Sequence, residues 1–323
     1  MEGTTLPMTN QLAENPRPKR GPPLPIHLTD CPMYTKNFVN PCPDWATALL
    51  NGFSQVLLLR NPFCGLCCLL ALLLTAPNLV GGALLGALAG LLTAQRRGYE
   101  RADRQAGLYS YNGVLIGILI AALLPWSAIV PPLIIAAGGL SSILTHQWRK
   151  RGGKLLIAYT APFVLLGWGT LLLTEPMPAL YTEANPLYAL LRGVGQIFLL
   201  DNPLAGLLIV IGMLVANPYA TLWALLGSAI GGGVALLAGE AQAAWMGLFG
   251  FNAALAALAF SRQGERPWVT LLAIAVALLL QPVFNLMPIA SLTAPFVTAC
   301  WLMHVGSHLQ QLSQRRNADR LHS

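Results

Sequence analysis

Charged residues are scarce in this chain of 323 residues, at only 10% Asp, Glu, Lys and Arg. Ordinary soluble domains carry about a quarter. Hydrophobic residues make up 55% of the chain, and its mean hydropathy is +0.59. The apolar residues fall in runs of roughly 17–25, the length that crosses the hydrocarbon core of a bilayer as a helix. The scarcity of charge therefore excludes an ordinary soluble domain and predicts an all-α integral membrane protein.

The apolar runs divide equally between the two halves of the chain. Those of the first half cover residues 46–75, 77–94, 107–124, 127–144 and 154–174. Those of the second half cover residues 189–216, 218–238, 244–260, 267–284 and 288–305. Glycine (31 residues) and proline (24 residues) are frequent, and both mark broken membrane helices.

Lysine and arginine are missing from every second predicted loop. Seventeen of the 19 basic residues lie in the N-terminal tail, in loops 95–106, 145–153 and 261–266, in the C-terminal tail, or, as Lys154, at the edge of the following apolar run. The other two are Arg60 and Arg192. The remaining loops, 125–126, 175–188, 239–243 and 285–287, contain none. Because basic loops stay in the cytoplasm, both termini are predicted to be cytoplasmic, in the plasma (inner) membrane. Since five crossings are an odd number, the second half is predicted to be inverted.

This topology divides the chain into five segments. They are a cytoplasmic tail (1–44), a first membrane repeat (45–174), an extracytoplasmic linker (175–188), a second, inverted repeat (189–306) and a cytoplasmic C-terminal tail (307–323). The net charge of +7 follows from the topology and from contact with membrane lipid, and it gives no reason to expect a nucleic-acid partner.

Ionisable residues are rare within the apolar runs, and three arginine or aspartate residues there (Arg60, Arg192 and Asp201) lie near breaks or a membrane edge. We expect helix-end or inter-repeat contacts for Arg60 and Asp201. Transporters coupled to protons or sodium generally keep acids or histidines in the transport path, so the scarcity favours a neutral solute.

Two residue pairs have a spacing that is typical of metal ligands, but neither pair has the further ligands that a metal site needs. His304 and His308 share a helical face without a third ligand, and Cys64 and Cys68 lie in an apolar run without a second cluster. We predict neither a metal nor a cofactor, and we expect the cysteines to be packing residues.

Polar residues recur in matching positions of the two halves. Residues 48–66 (ALLNGFSQVLLLRNPFCGL) align with 189–207 (ALLRGVGQIFLLDNPLAGL), which pairs Gln55 with Gln196. Further pairs are Asn112 with Asn252 and Thr160 with Thr293. An unpaired polar group in lipid costs several kcal/mol, so these side chains should face the protein interior or a wet cavity. Their duplication favours a pore where the two halves meet.

These motifs, in this order, resemble those of the urea transporter family over about residues 45–310. The resemblance rests on three duplicated segments: Gly-x-x-Gln before Asn-Pro, Tyr/Phe-Asn-x-x-Leu, and Thr-x-Pro-Phe. In this chain they begin at Gly52 and Gly193, at Tyr111 and Phe251, and at Thr160 and Thr293.

The resemblance implies two inverted repeats, each with five membrane helices and a tilted, re-entrant half-helix, assembled as a homotrimer with one pore per subunit. It also implies passive transport of urea through a narrow selectivity filter. In this chain Gln55 and Gln196 would form the outer filter sites, and Thr160 and Thr293 the centre. The walls of a flat slot would be Val56, Ile197, Tyr111, Leu115, Phe251, Leu255, Phe163 and Phe296.

Other classes remain as alternatives. An aquaporin-like channel for water, amides or polyols also uses duplicated Asn-Pro breaks, but this chain has ten predicted crossings and lacks Asn-Pro-Ala. An ammonia channel would need a pair of pore histidines, and His304 and His308 are both in the second half. We expect no enzyme, because no Ser–His–Asp set, paired acids or phosphate-binding loop stands at a common depth. A structural scaffold would not explain the paired amides.

Overall fold

A computed structural model describes residues 44–153, 155–174, 183–261 and 266–321, with side chains up to residue 314. The predicted N-terminal tail up to residue 43 and residues 175–182 of the predicted linker lie outside these ranges, so the segment boundaries remain predictions.

Within the described ranges the chain is helical and contains no strand. The first half contains α1 (Asp44–Val56), α2 (Pro62–Thr75), α3 (Pro77–Arg96), α4 (Arg101–Gln105), α5 (Tyr111–Leu123), α6 (Val130–Gly152) and α7 (Ala161–Leu171). The second half contains α8 (Pro186–Gly195), a 3-10 turn (Gln196–Phe198), α9 (Pro203–Ala216), α10 (Pro218–Leu237), α11 (Ala241–Trp245), α12 (Gly250–Ser261), α13 (Pro267–Asn285) and α14 (Ala294–Leu321). The prediction of an all-α protein is therefore confirmed for the described residues.

The elements of the two halves follow one another in the same order. Each half begins with a helix that ends next to its motif glutamine, at Val56 just after Gln55 and at Gly195 just before Gln196. It continues with a helix that starts at Asn-Pro and closes with a helix that starts after its motif threonine. At Asn-Pro the asparagine side chain accepts a backbone N–H of the first turn, from Cys64 at Asn61 and from Leu204 at Asn202. Proline follows at the first helical position, where its missing N–H has no cost. The duplicated Asn-Pro steps thus start helices.

Both motif glutamines lie in a helix end of the same design. After Gln55, the Leu59 N–H donates to the Ser54 carbonyl (3.2 Å), and Leu58 adopts a positive φ of 57°. After Gln196, the Leu200 N–H donates to the Gly195 carbonyl (3.2 Å), and Leu199 has φ 59°. The left-handed residue that ends a helix is normally glycine, because a residue with a side chain is strained in this backbone conformation.

Glycines bring the helices of each half into close contact. A Cβ atom at Gly65 would lie 1.9 Å from the Leu50 carbonyl oxygen, and one at Gly206 would lie 2.0 Å from that of Leu191. Only glycine allows α2 to cross α1, and α9 to cross α8, at this distance. The first helix and the Asn-Pro helix of each half therefore form a fixed corner.

The surface is apolar enough to face lipid. By length and composition, three described helices (α3, α10 and α13) are able to cross a membrane, or up to four if the pair α8–α9, bent by 76°, forms one broken span. Four shorter apolar helices are α2, α5, α7 and α12. Large side chains such as Leu173 and Leu279 are exposed, as expected for contact with acyl chains. The full count of ten crossings remains a prediction.

One hydrophobic core joins the two halves. Helix α2 packs against α9, where Gly212 lies against Cys64 and Cys67. These free cysteines are buried at a helix crossing, in the packing role expected of them. Helix α5 lies against α1 and α7, α12 lies against α8 and α14, and α7 contacts α14. This chain of contacts brings the first turns of α7 and α14 together.

Candidate functional site

Two buried threonines meet at the junction of the halves. The hydroxyl oxygens of Thr160 and Thr293 are 2.7 Å apart and form a hydrogen bond, although the residues are 133 positions apart in sequence. Each threonine immediately precedes a helix, Thr160 before α7 and Thr293 before α14. The two threonines of the duplicated Thr-x-Pro-Phe motif, one from each half, are therefore in direct contact.

Neighbouring asparagines free the threonine hydroxyls for this contact. A threonine that precedes a helix usually accepts an N–H of the first turn. Here the side-chain oxygen of Asn112 on α5 accepts the Phe163 N–H (3.2 Å), and that of Asn252 on α12 accepts the Phe296 N–H (3.3 Å). Because the asparagines take over capping, the hydroxyls of both threonines remain able to face each other.

The same asparagines also hold the residue before each threonine. The amide nitrogen of Asn112 donates to the Tyr159 carbonyl (3.3 Å), and that of Asn252 donates to the Leu292 carbonyl (3.2 Å). Tyr159 and Leu292 have positive φ values of 39° and 48°. Such strain persists only where surrounding contacts enforce it, and it concentrates at functional sites. Both turns are therefore fixed in matching, strained conformations.

Further polar residues orient the asparagines. Asn112 also donates to the Thr145 hydroxyl (3.2 Å), which in turn donates to the Ser141 carbonyl (2.8 Å). Asn252 donates to the Gln281 side-chain oxygen (2.9 Å). The two halves thus use one scheme with different second partners, a hydroxyl in one and an amide in the other.

The first half carries aromatic contacts that the second half lacks at the matching positions. The Tyr111 hydroxyl donates to the Tyr159 carbonyl, whereas Phe251 stands in the corresponding place on α12. The Tyr159 hydroxyl lies 2.9 Å from Nε2 of His304 on α14, and its ring packs edge-on against Phe296. The site is therefore similar in backbone across the halves but unequal in side chains.

The motif glutamines are half-buried, one in each half. Gln55 is in the last turn of α1, and Gln196 begins the 3-10 turn after α8. The Gln196 amide nitrogen donates to the Met246 carbonyl (3.2 Å). Their role as outer filter sites remains a prediction.

All eight residues predicted as slot walls are buried in the core that joins the two halves. They are Val56, Ile197, Tyr111, Leu115, Phe251, Leu255, Phe163 and Phe296. Their position is compatible with walls and with ordinary packing alike, so the wall role stays a prediction.

Charge is kept out of this interior. Among the described residues, the side chains that carry polar groups and are buried as a whole are those of Asn, Ser, Thr, Gln and Tyr. The equivalent residues Arg60 and Asp201 are exposed, and the described ion pairs, Asp44–Arg101 and Asp103–Arg149, do not include them. The Asp201 backbone carbonyl accepts from Arg192 (2.8 Å), a contact at a helix end within the second half.

Sequence reasoning missed several residues of the site. Thr145, Gln281 and Tyr159 were not recognised, and neither were the strained leucines Leu58 and Leu199. For the leucines a signal exists, since both stand three residues after the duplicated glutamines. Thr145 and Gln281 belong to different residue types, which hides their equivalence.

The fold and site define a helical transport protein of the membrane, with a neutral polar centre formed by two similar halves. Comparison with known proteins identifies the family. The profile described as "UT: Urea transporter" matches residues 46–308. Proteins named "Urea transporter 1" from Ovis aries, Capra hircus and Mus musculus are each 31% identical over 272 residues. Each match covers 73% of this chain and 67% of the relative.

The chain belongs to the urea transporter family, as the ordered motifs predicted. It is a multi-pass membrane protein, and the family supports transport of urea across membranes rather than catalysis.

Proposed function

We propose that this protein is a passive, channel-like pathway for urea, with a narrow filter centred on Thr160 and Thr293. The observation that carries the proposal is the hydrogen-bonded pair of buried threonine hydroxyls, one from each half of the chain. Membership of the urea transporter family names the solute.

The chemistry of the threonine pair suits urea. Two hydroxyls have two hydrogens and four acceptor lone pairs, and their mutual bond uses one of each. One hydrogen then remains for the urea carbonyl, and three lone pairs remain for its NH2 groups. The first turns of α7 and α14 also favour the partly negative carbonyl oxygen, because helix N-termini carry a partial positive charge.

The neutral interior favours an uncharged solute. No described side chain that is buried as a whole carries a charge, so a bare cation would lose its hydration without compensation. Urea loses only hydrogen bonds, which hydroxyl, amide and backbone groups are able to replace. Release stays easy when each replacement is weak, as passive conduction requires.

Gln55 and Gln196 would bind urea at the two ends of the filter, as donors or acceptors. Flat side chains would shape the passage between them, and the predicted walls Tyr111 and Phe251 would face the plane of urea. The half-buried position of both glutamines, each at a helix end of the same design, supports this assignment.

The proposed architecture is that of two inverted repeats, each with five crossings and one half-helix. The equal element order of the halves and the bent α8–α9 pair support it. The charge pattern supports cytoplasmic termini, the plasma membrane and contact with its lipid. The homotrimer follows from the family resemblance alone.

The test is urea flux in proteoliposomes, followed by stopped-flow light scattering, with glycerol and water as comparison solutes. We expect fast, saturable urea flux. Thr160→Val, Thr293→Val, Gln55→Leu and Gln196→Leu should each reduce it, whereas Thr170→Val on α7 serves as the control. Because the Thr170 hydroxyl bonds within its own helix to Leu166, its loss should leave flux unchanged.

The two threonines should act as a unit. The double variant Thr160→Val/Thr293→Val should then reduce flux by less than the product of the single effects. Fast glycerol or water flux without urea flux would refute the proposal and favour an aquaporin-like channel, which the family match does not support. A urea-dependent ionic current would refute the passive, neutral pathway.

A further inference from the structure

Two backbone carbonyls stand in equivalent places beside the threonine pair but carry different hydrogen bonds. They belong to Tyr159 and Leu292, each immediately before its threonine and each with a positive φ. Both accept the side-chain amide of the asparagine that caps the following helix. The two carbonyls are therefore held by the same scheme, and any difference between them comes from further donors.

Tyr111 supplies such a donor in the first half. Its hydroxyl donates to the Tyr159 carbonyl, so this oxygen receives two hydrogen bonds, from Tyr111 and from Asn112. In the second half Phe251 replaces the tyrosine and has no hydroxyl. Among the described residues, the side-chain donor shown for the Leu292 carbonyl is Asn252.

A carbonyl oxygen has two lone pairs. The two donors of the first half occupy both lone pairs of the Tyr159 carbonyl. The donors found in the described part of the chain leave the Leu292 carbonyl one acceptor position. Buried acceptors gain from being satisfied, so this position is suited to an N–H group of a bound molecule.

We propose that Tyr111 is a positioning residue that makes the two halves of the filter unequal, because its hydroxyl occupies the acceptor position at Tyr159 that remains open at Leu292. A solute with NH2 groups then binds more tightly beside Thr293 than beside Thr160. This inference rests on the proposed urea pathway and adds to it a specific, one-atom difference between its two sides.

The exchange of one oxygen atom tests the inference. In Tyr111→Phe, the Tyr159 carbonyl gains an open acceptor, and the half-saturation concentration for urea should fall by about two- to tenfold, the range of one net hydrogen bond. In Phe251→Tyr, the Leu292 carbonyl receives a hydroxyl, and the same concentration should rise by a similar factor. The double variant Tyr111→Phe/Phe251→Tyr should return close to the native value.

Tyr109→Phe is the matched control. Its hydroxyl is buried but lies near His146 and Asp103, so its removal should leave half-saturation unchanged. A purely structural role of Tyr111 would lower thermal stability and flux without lowering the half-saturation concentration. Tyr111→Phe only removes an atom and decides the question even if Phe251→Tyr does not fold.

The outcomes distinguish a failure of the proposed inequality from a failure of the urea pathway. A native protein with saturable urea flux, in which Tyr111→Phe leaves half-saturation unchanged or raises it, overturns the inequality while the urea pathway stands. A native protein without urea flux overturns the pathway itself, and it does so before any variant is measured.

Discussion

At the scale of residues, the asparagines of α5 and α12 perform a task normally carried out by the residue at the helix start. By accepting the N–H groups of Phe163 and Phe296, they leave the threonine hydroxyls available for each other. Each asparagine uses both ends of its side chain: the oxygen accepts the N–H of the helix that follows the threonine, and the amide nitrogen donates to the carbonyl that precedes the threonine. The arrangement therefore depends on both atoms.

Loss of an asparagine should therefore disable the threonines without touching them. In Asn252→Leu, the buried Phe296 N–H loses its acceptor, which costs about 1–3 kcal/mol. The Thr293 hydroxyl is then drawn back to cap its own helix, and most saturable urea flux should disappear. Flux and melting temperature should be measured together on the purified protein.

Asn252→Asp provides the comparison, since it keeps the acceptor for Phe296 and loses the donor to Leu292. It should retain more flux than Asn252→Leu. Full transport in the leucine variant would show that the threonine pair does not need the asparagine.

A second feature at this scale is the leucine three residues after each glutamine, whose backbone adopts the left-handed conformation. At an ordinary helical position, alanine is more stable than glycine by up to about 1 kcal/mol. At Leu58 the order should reverse, because its positive φ strains alanine and not glycine. The melting temperature of Leu58→Gly should exceed that of Leu58→Ala.

Leu72 on α2 is the matched control, since it is buried in the same core but in a regular helix. There the alanine variant should melt higher than the glycine variant. The same order at both positions would refute the strain at Leu58. Lower selectivity of Leu58→Gly for urea over glycerol would further show that the leucine side chain narrows the passage.

At the scale of elements, the corners between α1 and α2 and between α8 and α9 depend on single glycines. Gly206→Ala would place a methyl group about 2 Å from the Leu191 carbonyl oxygen, so the helices must separate. We expect a large loss of folded protein in detergent, measured as the monodisperse fraction in size-exclusion chromatography.

Gly232→Ala on α10 should preserve or raise the monodisperse fraction. A Cβ atom there meets nothing within 4 Å, and alanine favours the helix by up to about 1 kcal/mol. Equal tolerance of both substitutions would mean that α8 and α9 are free to move apart.

The sequence predicted these elements well where the signal is local. Apolar runs located the long helices, and the predicted Asn-Pro breaks coincide with the starts of α2 and α9, because capping and proline geometry act within one turn. The broken helix ends after Gln55 and Gln196 were not foreseen in detail, since leucine is not a typical residue at a positive φ.

The site was only partly predictable for a related reason. Duplication singled out Thr160 and Thr293, whereas their contact depends on how α7 and α14 pack. Thr145 and Gln281 were not predicted as site residues, because they take equivalent positions beside the asparagines but are different residue types. Pairings made through tertiary packing leave no local pattern in a single sequence.

At the scale of the whole molecule, the proposed orientation is open to a direct test. Ala102 on α4 and Ala184 before α8 are both exposed, and the charge pattern places them on opposite sides of the membrane. In a background with Cys31 and Cys42 replaced by serine, Ala184→Cys should react with a membrane-impermeant maleimide added outside intact cells. Ala102→Cys should react only after the membrane is opened.

The four described native cysteines are buried and should contribute little background. The predicted orientation puts Gln196 nearer the outside and Gln55 nearer the cytoplasm. Labelling of Ala102→Cys from outside, with Ala184→Cys protected, would reverse the orientation and exchange these two sides. Labelling of both from one side would contradict the three crossings that are predicted between the two positions.

The bond between the two threonines also has a consequence for synthesis. At about 5–20 residues per second, the 133 positions between Thr160 and Thr293 take roughly 7–27 s to translate. During that time the nascent first half holds a polar group in the bilayer whose partner has not yet been made. The newly inserted half must shelter this hydroxyl, by water or by its own backbone, until the second half arrives.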